Sequence, residues 1–117
     1  MHRFRELKVH QKAVALTFDT RQLTKKFPKE EMYSLMSQMN RAGDSIALNI
    51  AEGAGNYSRK EFSKFLGYSI RSGYECICCL DIALENSFIV PPERDRLFKK
   101  IDEAIAMLVG LRKSLTK

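Results

Sequence analysis

Residues 32–61, MYSLMSQMNRAGDSIALNIAEGAGNYSRKE, decide the fold. Within them Met32, Leu35, Met36, Met39, Ala42, Ile46 and Ile50 recur every three or four positions, the spacing that places side chains on one face of an α-helix. Gly53 to Gly55 predict where that helix stops. Asn56-Tyr57 makes a short connection, and Ser58-Arg59-Lys60-Glu61 then has the form of a capping box. In such a box a serine and a glutamate side chain each satisfy an N–H group at the start of a helix. Two helices joined by so few residues predict antiparallel neighbours.

Working outward, the flanks supply two more helices. Upstream, Val9, Ala13, Leu16, Thr20, Leu23 and Phe27 form one apolar stripe on a helix spanning roughly residues 7–26. Leu7, Val14 and Phe18 form a second stripe, turned by about 200° from the first. A helix outside a monomeric bundle needs one stripe, so two predict an oligomer. Phe27-Pro28-Lys29-Glu30-Glu31 breaks that helix and starts the next, because proline suits a first turn and the acids favour the positive helix end. Downstream, Phe62, Leu66, Ser69, Gly73, Cys76, Leu80 and Ala83 run to a helix end near Asn86, widened by Phe65, Ile70, Ile77 and Leu84. Pro91-Pro92 opens a fourth helix with Leu97, Ile101, Ala104, Leu108, Leu111 and Leu115 at heptad a and d positions. No segment alternates with period two. The expectation is an all-α, up-down-up-down antiparallel four-helix bundle, one domain over residues 1–117 and homo-oligomeric.

Composition agrees. A chain of 117 residues with 44% hydrophobic and 29% charged residues suits one globular domain rather than a disordered segment. No apolar run approaches the roughly 20 residues needed to cross a bilayer. The beginning, Met1-His2-Arg3-Phe4-Arg5-Glu6, carries charge where a signal peptide is apolar, so a cytoplasmic protein without membrane contact is expected. The net charge of +6 is unevenly spread: residues 1–26 carry seven basic and two acidic groups, and residues 87–117 seven and four. A positive field at both ends of the chain is the footprint of a polyanion partner, RNA or DNA. The candidate nucleic-acid contacts are Arg3, Arg5, Lys8, Lys12, Lys25 and Lys26, with Lys99, Lys100, Arg112 and Lys113. Glu93, Asp95, Asp102 and Glu103 interleave with the last group and oppose that field. A basic interaction module without nucleic-acid binding is the alternative reading.

Little in the chain reads as catalytic. Adjacent and alternate positions on a helix, such as Cys78–Cys79 and Cys76–Cys78, point in different directions, which argues against convergence of the three on a metal, and an odd count argues against a disulfide framework. Buried reduced thiols are expected. The second helix also carries a polar stripe, Gln38, Arg41, Ser45, Asn49 and Glu52, which Ser69, Ser72 and Glu75 on the third helix could answer. A hydrogen-bonded structural network is the leading reading of that stripe, and a ligand or docking site the second. Removing Asn49 from such a network would cost about 1–3 kcal/mol. No nucleophile–base pair and no metal cluster is legible, so no enzyme activity and no cofactor are expected.

The order of these residues resembles a known family. The matching strings are Phe4-x-x-Leu7-x-Val9-x-Gln11-Lys12-Ala13, Phe27-Pro28-x-Glu30-Glu31 and Gln38-x-x-Arg41-Ala42-x-x-Ser45-Ile46-x-x-Asn49-Ile50-Ala51-Glu52-Gly53. Ser58-x-x-Glu61-Phe62-x-x-Phe65-Leu66 and Ser72-x-x-Glu75 continue them. Together they resemble the four-helix-bundle proteins encoded in intervening sequences of large-subunit ribosomal RNA genes, a group related to the accessory variability protein of diversity-generating retroelements. The resemblance implies a homopentamer and, for the retroelement relatives, a basic surface that binds nucleic acid and a nucleic-acid-processing protein, the reverse transcriptase. The chain departs from the family pattern at His10, Asn40, Asp44, Asn56 and Arg71.

Overall fold

The computed structural model describes residues 3–56 and 58–116. Tyr57, part of the expected connection, lies outside them. Four helices, α1 (Lys8–Thr24), α2 (Leu35–Ala54), α3 (Arg59–Glu85) and α4 (Pro91–Ser114), are joined by short segments, and single 3-10 turns occupy Phe4–Glu6 and Lys29–Glu31. The described residues contain no strand. The molecule measures 44 × 23 × 20 Å. A 27-residue helix such as α3 is about 40 Å long, so the helices lie side by side along the long axis.

Helix ends follow local chemistry. At α3, Ser58 Oγ accepts the Glu61 N–H at 3.2 Å, while the Glu61 carboxylate faces Lys64 at 3.0 Å. At α4, Glu93 reaches back to accept the Val90 N–H at 3.0 Å. The end of α3 is turned by Ser87, whose φ of 61° is left-handed, and the Phe88 N–H then reaches the Ala83 carbonyl at 2.9 Å. That wrap seats the Phe88 ring 5.7 Å from the ring of Phe27.

The expected stripes line a single core. Val9, Ala13, Leu16, Thr20, Leu23 and Phe27 of the first stripe are all buried, as are Phe62, Leu66, Ser69, Gly73, Cys76, Leu80 and Ala83 of the third. On α4, Leu97, Ile101, Ala104 and Leu108 are buried together with Ile105, whereas Leu111 and Leu115 are partly buried at its end. One expectation about α2, its start, is corrected. It begins at Leu35, not just after Pro28, because one 3-10 turn and a kink at Ser34 (φ −125°, ψ −103°) intervene, which leaves Met32 exposed. It ends at Ala54, inside the predicted window, with Gly55 at its end in right-handed backbone (φ −72°).

Gly53 lets α2 approach α3. A β-carbon there would stand 2.7 Å from Phe65 Cβ and 3.3 Å from the Phe62 carbonyl oxygen. Alanine favours helices over glycine by about 1 kcal/mol, but overpacking against backbone costs about 1–3 kcal/mol and has no flexible neighbour to yield. A Gly53→Ala variant is therefore expected to unfold at lower urea concentration than the parent. An equal or higher midpoint would show that the α2–α3 contact is loose.

Candidate functional site

The first and fourth helices are neighbours, and their facing positions carry opposite charges. Lys12 Nζ lies 3.0 Å from Glu103 Oε2, and Lys100 Nζ lies 3.0 Å from Asp19 Oδ2. Lys26 pairs with Glu93 in the same seam. The Lys26 hydrogen bond, then that of the Val90 N–H, holds the Glu93 carboxyl below its ordinary range. The Lys12 hydrogen bond and charge do the same for Glu103. Three of the expected phosphate contacts, Lys12, Lys26 and Lys100, are thus engaged by carboxylates on the neighbouring helix. Exposed pairs of this kind each add little stability, but together they fix which face of α4 meets α1.

The other candidates fall into separate places. Lys8, Lys25 and Lys99 are exposed and have no carboxylate within ion-pair distance among the described residues. Arg3 faces Glu6 at 3.6 Å, and Arg5 offers its carbonyl to Gln11 Nε2 at 2.9 Å. Arg5 also lowers the pKa of His10, after the larger effect of burial against Phe4. Arg112 and Lys113 lie away from the α1 seam, beside the start of α3, where Arg112 Nε donates to Ser63 Oγ at 3.2 Å. Sequence reasoning missed Arg96, which lines both hollows between α1 and α4. Its spacing from Lys99, Lys100 and Glu103 was the signal. It also missed Arg59, Lys60 and Lys64, which share a concave end with Arg112.

Asp44, at a position where the family resemblance anticipates an apolar residue, is answered from α1. Arg21 Nη1 and Nη2 donate to its two carboxylate oxygens at 2.7 and 2.8 Å. This fork raises the Arg21 pKa. Asn40 likewise meets a partner on α1, with Thr24 Oγ1 donating to its Oδ1 at 3.2 Å.

The polar stripe on α2 does not form the expected network across the bundle. Asn49 Nδ2 donates to the Ser45 carbonyl on its own helix at 2.8 Å, and Ser72 Oγ to the Tyr68 carbonyl at 3.1 Å. Gln38, Arg41 and Glu52 are exposed, as is Glu75 on α3. Arg41, Gln38, Ser45 and Glu75 border an open hollow with Tyr33, which is 92% exposed. The physical reason is position: the stripe sits at the rim of the α2–α3 seam, where water satisfies polar groups at no cost. Inside that seam the buried Ser69 Oγ donates to the Ile46 carbonyl at 2.7 Å, and Cys76 Sγ faces the Met39 carbonyl.

Cys76 and Cys79 are buried and Cys78 is exposed, so the expectation of three buried thiols holds for two. Burial, then nearby negative charge, pushes the Cys76 thiol up to about 12 and the Cys79 thiol up to about 11. Among the described residues no three His, Cys, Asp or Glu side chains gather as a metal site would require, and no helix is long and apolar enough to cross a membrane.

With this geometry in view, comparisons place the chain among known proteins. The family model described as 23S rRNA-intervening sequence protein matches residues 5–110. A crystal structure of a protein of unknown function from the S23 ribosomal protein family of Bacteroides thetaiotaomicron VPI-5482 superposes with a TM-score of 0.83 at 22% identity. It covers 90% of this chain and 95% of its own. At that identity the likeness establishes the fold. No curated protein matches the chain.

Two outcomes follow from these contacts. Ser69→Ala is expected to lower stability by about 1–2 kcal/mol in chemical denaturation, because it removes a buried bond between helices, while Asn49→Ala should cost under about 1 kcal/mol. The reverse ranking would restore the network reading. In native protein at pH 8, a thiol reagent should label Cys78 alone, with Cys76 and Cys79 reacting only after unfolding, since the thiolate is the reactive form. Rapid labelling of all three would contradict the burial.

Proposed function

Because this chain belongs to the 23S rRNA-intervening sequence protein family, we propose that it is a non-catalytic, homo-oligomeric helical bundle that binds nucleic acid, free or within a ribonucleoprotein, through its unpaired basic side chains. The bundle is up-down-up-down and antiparallel. Supporting that topology, residue numbers rise on one helix as they fall on its neighbour: Lys12–Glu103 and Asp19–Lys100 for α1 and α4, Ile46–Ser69 and Met39–Cys76 for α2 and α3.

Assembly is supported by the second stripe of α1. Phe18 is 64% and Val14 48% exposed, and on α2 Leu48 is 66% exposed. One turn back from the Arg21–Asp44 pair, the register sets Phe18 beside Leu48, so these side chains form a joint apolar face. A second copy of the chain would cover it, and five copies is the number that the family resemblance implies. The observation that carries the binding reading is the surplus of exposed cations left after ion pairing: among the described residues Lys60 and Lys113 have no carboxylate within ion-pair distance, and Arg112 is held by Ser63 rather than by an acid. Repeated around an oligomer, modest contacts act together.

One observation favours the alternative of an interaction module without nucleic-acid binding. The pairs at Lys12, Lys26 and Lys100 spend positive charge inside the molecule. Anisotropy of a labelled structured RNA, titrated from about 50 mM to 200 mM salt, decides between the two readings. Binding should weaken with a log–log slope of roughly −0.7 to −0.9 per phosphate contacted. Sedimentation equilibrium at micromolar concentration should give a multiple of the 13.5 kDa chain. No binding at low salt would favour the interaction module, and a monomer would remove the assembly.

A further inference from the structure

We propose that phosphate groups are bound at one end of the bundle, where the start of α3 meets the end of α4, rather than along the α1–α4 face. The proposal rests on the nucleic-acid reading above and assigns its site. Arg59, Lys60, Ser63, Lys64 and Arg112 line a concavity of about 520 Å³ at that end, and Lys113 borders the hollow next to it. Among the described residues the one acid in the lining is Glu61, engaged by Lys64 at 3.0 Å.

Arg112 is anchored at two points in this cluster. Its Nε is held by Ser63 Oγ, and its guanidinium lies flat over α3 at Gly67, where a β-carbon would stand 3.1 Å from three of its atoms. Among the described residues its two Nη groups make no hydrogen bond. A planar fork that is already oriented, and whose outer donors are free, suits a phosphate oxygen pair. Lys60 and Lys113 also have no carboxylate in reach among the described residues. A cation near the final carbonyls of α4 offsets the negative end of that helix, which accounts for Arg112 or Lys113 alone. It does not account for Lys60 and Lys64, which belong to the first turns of α3 and add to the positive end of that helix.

The α1–α4 face differs in kind. Its hollows are lined by Lys12, Lys26, Arg96, Lys99 and Lys100, but also by Asp19, Glu93 and Glu103. A phosphate entering there meets carboxylates and competes with existing ion pairs.

The test compares two triple variants that remove equal charge from exposed positions. One is Lys60→Gln, Lys64→Gln, Arg112→Gln, and the other is Lys8→Gln, Lys25→Gln, Lys99→Gln. The probe is one labelled RNA hairpin, and circular dichroism confirms that helicity is unchanged. At about 50 mM salt the first variant should bind about tenfold or more weakly, with a log–log salt slope shallower by about 2–3 contacts, and the second within about threefold of the parent. Equal weakening by both, or greater weakening by the second, overturns the site while leaving the nucleic-acid reading standing. If the parent itself fails to bind RNA, that reading falls and takes the site with it.

Discussion

The close approach of α2 to α3 is the constraint on which the rest of the structure depends. Two helices can touch at backbone distance only where side chains are small, and this seam supplies Gly53 on α2 and Ser69 and Cys76 on α3, all buried. At that distance the Ser69 hydroxyl reaches the Ile46 carbonyl across the seam at 2.7 Å. Such a bond discriminates register, because a slip of one residue strands a buried hydroxyl. The short connection from Ala54 to Arg59 makes the contact local in sequence, so little loop entropy opposes it.

Around this pair the outer helices are placed by other means. Arg21 and Thr24 tie α1 to Asp44 and Asn40 of α2. Ion pairs tie α1 to α4, and hollows remain between those two helices, one of about 150 Å³. The seam carries ion pairs and is longer-ranged in sequence than α2–α3, with Lys12 and Glu103 separated by 91 positions. Its ion pairs have a functional consequence. Positive charge that sequence order places on one basic face is divided, part neutralised where α1 meets α4, part left exposed beside those pairs and part at the α3–α4 end.

Sequence alone made the four helices and most of the core legible, because each stripe repeats a helical period over four turns or more and proline or a capping serine marks the boundaries. The start of α2 was not, since Glu30, Glu31 and Met32 look helical and only the kink at Ser34 reveals otherwise. Periodicity says which residues share a face, but not which face of one helix meets which face of another. That limit explains the misreadings of the site. Lys12, Lys26 and Lys100 read as free cations until α4 supplied Glu103 and Glu93 and α1 supplied Asp19. Asn49 read as a partner across the bundle because the rim of a seam and its interior differ by one residue's rotation. Arg59, Lys60 and Lys64 lie in and beside the capping segment in sequence, and only folding sets them against Arg112.

If α2 and α3 form the centre and α1 and α4 are clamped onto it, local stability should be graded. Native-state hydrogen exchange tests this most directly. Amides in the middle of α2 and α3, around Ile46 and Ser69, should exchange only through global unfolding, with a free energy equal to that from denaturant melts. Amides of α1 and α4 should exchange through a smaller opening that grows as salt weakens the ion pairs. Equal protection of all four helices, or protection greater in α1 and α4 than in α2 and α3, would contradict the account.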